Sequence, residues 1–566
     1  MPAHSGAFMP FKFFVVRTPE PAPSPSSLPA FLRKSPCALC AFASLHAALF
    51  AIRLFIVSRG AFVVSGVSSM IQNVLILGAG SAGLLAAITL KKKLPALTVT
   101  IVRSSDIGVI GVGEGTTPAM PVHLFGYLGL SQARFYAEAE PTWKLGIRFM
   151  WGPRDYFDYT FHNQLDGTWN NLPREPGYYA EEDFRGLCMA SALMEAGRAF
   201  PQHPRAAGFP EMNNIIFGFH IENLKLVAYL EKIAEEMGVV FVEGKVSGVE
   251  RGPQGIAALC LEDGRRMQAD FFVDCSGFRS ELLGRTLEEP FSSYDRALFC
   301  DRAVIGGWER TTEPVLPYTI AETMEAGWAW QIEHEHHINR GYVYSSQAIS
   351  DEAACEEFLR KNPKAPKSPR VVKFRTGRYR RMWVENVVAI GNSAGFVEPL
   401  EASALMAVTD QCETLVQMLM DSGLNPTNEL RELYCKLAGD YFDVIRDFLS
   451  LRYKLNTRLD NPFWRHCRED TDVGTLGPLI EFYREHGPSR DAAAFVPKSS
   501  NPYDAEGFLT MLVGNRTPCK ARHTPSDAEL KMWNHIRSVL RGNAERGVTV
   551  ADSLRAIRSP QWRWKS

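Results

Sequence analysis

Four short apolar runs along the chain predict buried β-strands. They cover residues 74–77, 97–102, 269–273 and 387–390, and each is followed directly by glycine, arginine or aspartate. The first run leads into the segment GAGSAG and then into an apolar, helix-like stretch. Residues 525–541 instead show apolar side chains at helical spacing, which predicts a helix that either packs in the core or forms a dimer face. Together these patterns predict an α/β protein.

The glycine-rich segment after the first predicted strand has the spacing of a dinucleotide-binding turn. Gly78 allows the tight turn, Gly80 lets the backbone approach a pyrophosphate, and Gly83 lets helix and strand pack closely. The N-terminus of the helix then presents unpaired N–H groups to the phosphates. A ribose-binding acid is expected about twenty residues later, where the chain has Arg103, so Asp106 takes that role or the role is absent. The sequence has no second G-x-G-x-x-G for a nicotinamide, which indicates that reducing equivalents come from outside.

The first 69 residues differ in composition from the rest of the chain. They are rich in proline and serine at first and then apolar, with interruptions that leave the apolar runs too short to span a bilayer. We expect residues 1–69 to be a poorly ordered extension and the native protein to start near Met70; a membrane anchor is the alternative. We further expect a cofactor-binding core over residues 70–464 and a mostly helical substrate region over residues 465–566.

Neither composition nor charge indicates a nucleic-acid partner or a metal site. The formal net charge is -1 and the hydrophobic content is 46%, so the chain can bury a large core and nothing indicates a nucleic-acid partner. The scattered cysteines are typical of a cytoplasmic protein, and Cys37 and Cys40 have metal-ligand spacing without a second pair. The segment HEHH, residues 334–337, has no accompanying ligand cluster, so we predict an exposed polar turn and no metal site.

Six motifs together resemble, in chain order, the flavin-dependent tryptophan halogenases. They are GVGEGTTP (111–118), TWKLGIRF (142–149), DCSGFRS (274–280), GWAWQI (327–332), GYVYSS (341–346) and FVEPLEAS (396–403). The lysine motif and the Trp-x-Trp-x-Ile motif are specific to that family, whereas the flavin motifs are shared with monooxygenases. The resemblance implies an FAD-binding two-dinucleotide fold of the glutathione-reductase and aromatic-hydroxylase type. It also implies that reduced FAD (FADH2), O2 and a halide ion, chloride or bromide, yield hypohalous acid, which moves through the protein to a lysine beside the substrate.

The resemblance implies that Lys144 and Glu401 are the catalytic pair. Between Trp143 and Leu145 the amine would be partly desolvated, which disfavours its charged form. It can then hydrogen-bond hypohalous acid or be halogenated to a chloramine, while Glu401 polarises this electrophile or takes the ring proton. Without the motifs, Lys144 is an ordinary surface lysine, and Glu398 and Glu401 are acids placed at a helix start.

The resemblance also implies contacts to the cofactor and to the halide. Asn392 stands where the family often has an acid, and an amide can still hydrogen-bond a ribose or a ring edge. The halide would bind at Ser403 and Ala404, where the family has Thr-Gly, which leaves halide preference open. Trp328 and Trp330 would fill the space between flavin and substrate, or they are core residues on one face of a strand. The implied FAD contacts are Gly78, Ala79, Gly80, Ser81, Ala82, Gly83, Ser104, Ile107, Ile110, Glu114, Gly115, Val246, Asn392 and Leu405.

The C-terminal region lacks the aromatic pairs with which tryptophan-specific members of that family hold free tryptophan. In residues 501–518 the only aromatic side chains are Tyr503 and Phe508. We therefore expect a different electron-rich aromatic substrate: a phenol, an indole, a pyrrole or an aromatic carried on a protein. A flavin reductase would supply the reduced FAD. The alternatives are an aromatic monooxygenase (hydroxylase) of the same fold and a flavin-binding protein without catalysis.

Overall fold

The first apolar run forms a strand in the middle of a six-stranded sheet. A computed structural model describes residues 70–108, 113–165 and 172–564, which belong to one compact unit. Residues 1–69, and with them the expected extension and the Cys37–Cys40 pair, lie outside the described residues.

The described strands are, in chain order, β1 (Asn73–Leu77), β2 (Thr98–Arg103), β3 (Glu114–Gly115), β4 (Thr142–Lys144), β5 (Gly146–Met150), β6 (Phe157–Thr160), β7 (Gly218–Ile221), β8 (Val240–Glu243), β9 (Val246–Gly252), β10 (Gly255–Leu261), β11 (Arg266–Met267), β12 (Phe271–Asp274), β13 (Phe291–Ser293), β14 (Arg302–Glu309), β15 (Thr319–Met324), β16 (Gly327–Glu333), β17 (His337–Tyr344), β18 (Arg370–Lys373), β19 (Gly377–Tyr379), β20 (Trp383–Val384), β21 (Val387–Ala389) and β22 (Gly395–Phe396). The described α-helices are α1 (Ser81–Lys93), α2 (Ala119–Pro121), α3 (Gln132–Glu138), α4 (Met189–Glu195), α5 (Asn223–Glu236), α6 (Asp351–Lys361), α7 (Ser403–Asp421), α8 (Asn428–Leu455), α9 (Pro462–Asp470), α10 (Gly477–His486), α11 (Asp504–Gly514), α12 (Asp527–Glu545) and α13 (Val550–Ile557).

The six-stranded sheet contains all four strands that the apolar runs predict. Its order is β20-β21-β12-β1-β2-β8, and every neighbouring pair is parallel except β20 with β21. The side chains of β1 after Asn73 are buried, as expected for a strand with neighbours on both sides and helices on its faces. The predicted α/β fold is confirmed. The carboxyl ends of β1, β2, β12 and β21 meet at one edge, where open α/β sheets bind ligands.

A second sheet, of seven strands, supplies part of the candidate site. Its order is β18-β14-β17-β16-β15-β5-β6. Trp328 and Trp330 lie on β16 two residues apart and therefore on one face, with ring centroids 6.2 Å apart. Gly341 on β17 is opposite Trp330 and makes room for it, because an added Cβ would lie 2.0 Å from the Trp330 ring.

Helices dominate the C-terminal part of the described chain. The long helix α8 packs on α7 and on α9, and α11 packs on α8 and on β6. Helix α12 buries Trp533 against Tyr179, with ring centroids 5.4 Å apart, while Leu530 remains 40% exposed. Core packing thus explains Trp533 but not the whole apolar face. Among the described residues, no helix is both long enough and apolar enough to cross a membrane.

Candidate active site

The turn between β1 and α1 leaves open space in front of a helix N-terminus. Gly83 must be glycine, because an added Cβ would lie 1.9 Å from the Gly78 carbonyl oxygen. Gly80 is different, since nothing lies within 4 Å of the position that its Cβ would take. Gly80 is also the N-cap residue of α1, and it makes no side-chain cap, so the first N–H groups of the helix face this open space. The arrangement fits the pyrophosphate of a dinucleotide.

The two later glycine motifs converge on the same turn. An added Cβ at Gly78 would lie 2.4 Å from the Cys275 carbonyl oxygen, so the end of β12 lies against the turn. An added Cβ at Gly391 would lie 2.9 Å from the Ala82 Cβ, so the segment that follows β21 also lies against the turn. The Asp274 carboxylate, by contrast, accepts hydrogen bonds from Ser276 and from the backbone N–H groups of residues 282 and 283. Asp274 therefore fixes the backbone that follows β12.

The remaining predicted cofactor contacts come from several separate elements of the chain. Ser104 and Ile107 follow β2, Glu114 and Gly115 form β3, Val246 begins β9, Asn392 lies in the turn after β21, and Leu405 is in the first turn of α7. Ile110 lies outside the described residues. Desolvation raises the pKa of the Glu114 carboxyl to about 7.

The position expected for a ribose-binding acid has another function in the fold. Arg103 forms ion pairs with Glu231 and Glu243, and the Glu243 carboxylate also accepts a hydrogen bond from the Ser105 N–H. The Arg103 guanidinium, at the end of β2, is therefore paired with two carboxylates.

Lys144 is the last residue of β4, and its side chain is fully buried. Strand β4 pairs with β7, and Thr142, Trp143 and Lys144 are all buried. Lys144 Nζ has no hydrogen-bond partner among the described residues and lies 5.6 Å from the Phe161 ring centroid. Burial lowers the pKa of this amine to about 7, and the negative charge of Glu401 opposes that shift. A substantial fraction of Lys144 is therefore neutral at neutral pH.

Glu401 is equally buried and is paired with Arg452. Glu401 ends a short 3₁₀ turn before α7, and Arg452 lies in the last turns of α8; each side chain is 1% exposed. Arg452 Nη2 donates to Glu401 Oε1, whereas Glu401 Oε2 has no hydrogen-bond partner among the described residues. Burial raises the pKa of the Glu401 carboxyl, and the positive charges of Arg452 and then Lys144 oppose this.

Gly115 brings Lys144 close to the turn that carries Glu401. An added Cβ at Gly115 would lie 3.4 Å from Lys144 Nζ and 3.3 Å from the Ala402 Cβ. The backbone of β3 thus lies between the amine and the start of α7. The structure therefore places the two predicted catalytic side chains in one small, buried volume next to a predicted cofactor contact.

A second buried carboxylate lies on the same turn. Glu398 Oε2 accepts hydrogen bonds from Trp328 Nε1 at 2.9 Å and from the Tyr453 hydroxyl at 2.6 Å. The Tyr453 oxygen is also 3.1 Å from Cys300 Sγ. Burial raises the pKa of the Glu398 carboxyl to about 7. This network anchors Trp328 to the turn before α7, so Glu398 is a structural acid rather than a helix cap.

The start of α7 has the features of a small anion site. Ala402 adopts a left-handed conformation with φ 55° and ψ 36°, and the helix begins at the next residue without a side-chain cap. The Ser403 hydroxyl is buried and has no hydrogen-bond partner among the described residues. A hydroxyl, the neighbouring N–H of Ala404 and the positive end of a 19-residue helix together favour a halide ion.

The histidine-rich segment differs from the prediction of an exposed turn. His334 is 2% exposed, because it packs beneath Gly113, and its Nε2 lies 3.0 Å from Asn339 Nδ2. Burial lowers the pKa of His334 to about 4. His336 is exposed in the hairpin turn between β16 and β17. In the part of the chain that the structure describes, no group of three or more His, Cys, Asp or Glu residues could hold a metal ion.

Sequence reasoning missed Arg452, Tyr453 and the position of Tyr503. Tyr503 stacks on Phe448 with ring centroids 3.7 Å apart, and the Arg452 guanidinium lies 3.8 Å from the centroid of the same ring. The only sequence signal was an arginine on the apolar side of a helical stretch, which is ambiguous because arginine stems often cover apolar surface.

The parallel sheet and the open glycine turn at its carboxyl edge are the features of an FAD-dependent α/β flavoprotein. The tryptophan halogenase family model matches residues 73–529, and the chain belongs to this family of flavin-dependent enzymes. Tryptophan 7-halogenase RebH of Lentzea aerocolonigenes is 31% identical over 484 residues, which are 79% of this chain and 90% of RebH. Tryptophan 6-halogenase ThaL of Streptomyces albogriseolus is 32% identical over 443 residues, which are 73% of this chain and 82% of ThaL.

Solved structures of halogenases are also similar. MibH, described as "a lathipeptide tryptophan 5-halogenase", superposes with a TM-score of 0.80 at 36% identity, covering 88% of this chain and 95% of MibH. BrvH, a flavin-dependent halogenase from Brevundimonas sp. BAL3, superposes with a TM-score of 0.76 at 27% identity, covering 86% of this chain and 99% of BrvH. The predicted family and fold are confirmed.

Proposed function

We propose that this enzyme transfers chlorine or bromine to an electron-rich aromatic by way of hypohalous acid held at Lys144. The observation that carries the proposal is the buried Lys144 amine, which lacks a hydrogen-bond partner among the described residues and lies in electrostatic range of Glu401. An isolated buried amine is costly to the fold, so its presence indicates a role in chemistry.

The turn after β1 and its neighbours would hold FAD. Gly78 to Gly83 would bind the pyrophosphate, Asn392 a ribose or ring edge, and Glu114 and Gly115 would contact the cofactor near Lys144. When reduced and bound, FAD would supply the electrons that convert O2 and halide into hypohalous acid. Its reducing equivalents would come from a separate flavin reductase, because the sequence has one dinucleotide motif.

Halide would bind at the start of α7. The Ser403 hydroxyl and the Ala404 N–H would donate to the anion, and the helix dipole would add to its stabilisation. The packed Trp328 and Trp330 rings would occupy the space between cofactor and aromatic substrate, so that the oxidant meets halide first.

Lys144 and Glu401 would then direct the transfer. The Lys144 amine hydrogen-bonds hypohalous acid and holds its halogen toward the substrate ring. The ring carbon forms a bond to the halogen as the O–X bond breaks, and the oxygen leaves as hydroxide. Glu401 Oε2 takes the proton from the same carbon, and that proton with the hydroxide makes water, so ArH and HOX become ArX and H2O.

For the substrate, we propose an electron-rich aromatic other than free tryptophan, with an indole carried on a peptide as the first candidate. Tyr503 and Phe508 both pack against Phe448, with ring centroids 3.7 Å and 5.0 Å from it, so neither is available to sandwich a free amino acid. The similarity to MibH supports a peptide-borne aromatic.

The test is a halogenation assay with the purified full-length protein. The mixture holds FAD, a flavin reductase, NADH, bromide and a panel of free tryptophan, tryptophan-containing peptides, indoles, phenols and pyrroles. We expect a product with the isotope doublet of one bromine by mass spectrometry. A gain of one oxygen would instead identify a hydroxylase, and reduced FAD consumed at a rate independent of every aromatic would identify a flavin-binding protein without this chemistry.

The Lys144→Met variant assigns the chemistry to the proposed residue. We expect it to bind FAD as the parent does but to lose bromination by roughly a hundredfold or more. Lys232→Met is the matched control, because Lys232 is 58% exposed and pairs with Glu138 on the surface. Bromination that survives in Lys144→Met at the parental rate would contradict the proposed mechanism.

A further inference from the structure

Arg452 is fixed in place by contacts on every part of its guanidinium except Nε. Nη1 donates to the Phe448 carbonyl oxygen at 2.6 Å, and Nη2 donates to Glu401 Oε1. The planar group lies 3.8 Å from the Phe448 ring centroid and 5.4 Å from that of Phe149. Arg452 is 1% exposed, so this is a buried, preorganised ion pair rather than a surface bridge.

The pair determines which oxygen of Glu401 can act. Oε1 is occupied by Arg452, and Oε2 has no hydrogen-bond partner among the described residues. A carboxylate this deeply buried would take up a proton unless a permanent positive charge stood next to it, and arginine supplies that charge at every accessible pH. Lys144 cannot supply it reliably, since burial lowers the pKa of its own amine to about 7.

We propose that Arg452 is a positioning residue that keeps Glu401 ionised and turns Oε2 toward the reacting carbon, which leaves Lys144 as the neutral amine. This inference rests on the proposed function. The division gives each group one state during the reaction: a base at Glu401, a hydrogen-bonding amine at Lys144 and a fixed cation at Arg452. Without Arg452, the amine and the carboxyl would share protons, and neither state would dominate near neutral pH.

The other titratable groups around the pair do not replace Arg452. Tyr159 and Tyr503 face Glu401, and burial raises the pKa of both hydroxyls, so they stay neutral. His220 faces Lys144, and burial lowers its pKa well below the usual range, so it is neutral too. Glu398, on the same turn as Glu401, accepts hydrogen bonds from Trp328 and Tyr453.

Urea unfolding of the protein without FAD tests the ion pair independently of catalysis. We expect Arg452→Met to lower the urea midpoint strongly in the parent and much less in a Glu401→Gln background, because the charge that it leaves unpaired is then gone. Arg340→Met is the control: Arg340 is buried and paired with Glu322, so it should lower the midpoint equally in both backgrounds. Equal losses for Arg452→Met in the two backgrounds would overturn the proposal.

The pH profile of kcat/KM tests the positioning role. We expect Arg452→Met to move the low-pH limb of the kcat/KM profile to higher pH by about one unit or more, because Glu401 then takes up a proton more readily. Arg452→Lys should restore most of the parental profile. Activity reduced by the same factor at every pH, with an unmoved low-pH limb, would overturn the role. If Arg452→Met does not fold, Arg452→Gln carries the same comparison. Parent protein that shows the ion-pair coupling but brominates nothing would refute the proposed function instead.

Discussion

Lys144 carries a cost to the fold that follows from its burial. Its amine is fully enclosed, and burial lowers its pKa to about 7, whereas an unfolded lysine titrates at about 10.4. Between these two values the unfolded chain binds more protons than the native one, so the free energy of unfolding rises with pH across that window. Below pH 7 the cost is present in full, and near pH 10 it has largely disappeared.

Replacement of Lys144 by methionine should therefore stabilise the protein while it abolishes halogenation. We expect a gain of about 1–4 kcal/mol in the free energy of unfolding at pH 6 and a smaller gain at pH 9.5, measured by urea unfolding of both proteins. The comparison between the two proteins cancels the titration of distant groups. A difference that stays constant over this pH range would contradict the lowered pKa.

The same pKa sets the pH dependence of the reaction. If the neutral amine holds hypohalous acid, kcat/KM should rise about tenfold per pH unit below about 7 and level off above it. The measurement uses chemically reduced FAD, so that the reductase does not contribute, and a substrate without groups that titrate between pH 5 and 9. A rate that falls through pH 7 would indicate that the ammonium is the active form.

Residue by residue, the site was predictable where chemistry is written locally and not where it depends on distant packing. Lys144 and Glu401 each sit inside a short motif, so the sequence pointed to both. Arg452 is 51 residues from Glu401 along the chain, on the apolar side of a helix, and only the folded pairing reveals it. The prediction that His334 lies in an exposed turn was wrong for the same reason. Its ring is buried close to Gly113, which is more than 200 residues away along the chain.

Among the elements, the start of α7 has the strongest claim to bind an anion. Ser403 is the first residue of the helix, and its buried hydroxyl has no partner in the described part of the chain. Since a hydrogen bond to a charged group contributes about 1.5–3 kcal/mol, Ser403→Ala should raise the KM for bromide roughly 10- to 100-fold. The assay varies bromide at saturating substrate.

The neighbouring threonine provides the control for that helix. Thr409 is also buried on α7, but its hydroxyl donates to the Met406 carbonyl oxygen within the helix. Thr409→Ala should therefore leave the bromide KM unchanged. An equal rise in both variants would mean that α7 acts through stability and not through a halide contact.

The β1–α1 turn separates a glycine needed for folding from one needed for the cofactor. Gly83→Ala places a Cβ 1.9 Å from the Gly78 oxygen, so it should lower the stability of the FAD-free protein by about 1–3 kcal/mol. Gly80→Ala meets nothing within 4 Å, so it should leave the unfolding curve unchanged and weaken FAD binding roughly tenfold. Urea unfolding and fluorescence titration with FAD measure the two effects. Undiminished FAD affinity in Gly80→Ala would place the pyrophosphate elsewhere.

The elements themselves were predictable to within one or two residues where their pattern is strong. The run at residues 74–77 became β1 at Asn73–Leu77, and the run at 387–390 became β21 at Val387–Ala389. Apolar character decides these strands, since they are buried on both faces. The left-handed conformation of Ala402, the residue before α7, was not predictable, because alanine has no local preference for positive φ.

At the scale of the whole molecule, the site is assembled from segments that lie far apart in the sequence. Lys144 comes from β4, Glu401 from the turn before α7 and Arg452 from α8, while Tyr503 directly precedes helix α11. Each segment alone resembles ordinary core or helix-cap sequence. The family motifs made the association of Lys144 with Glu401 predictable but not that of Arg452 or Tyr503, and each segment taken alone favoured a structural interpretation.

The presence of a single dinucleotide-binding motif predicts that another protein supplies the reduced FAD. An open glycine turn lies at the carboxyl edge of the parallel sheet, and the sequence contains a single G-x-G-x-x-G, which predicts a site for FAD and no second site for a nicotinamide. We therefore expect the purified protein with FAD, NADH, bromide and an accepted aromatic to produce no brominated product, and to produce it once a flavin reductase is added. A single turnover should need neither NADH nor reductase: protein mixed anaerobically with photoreduced FAD and then exposed to O2 should yield up to one equivalent of product. NADH oxidation by the purified chain alone, at the rate of bromination, would show that a second nucleotide site exists after all.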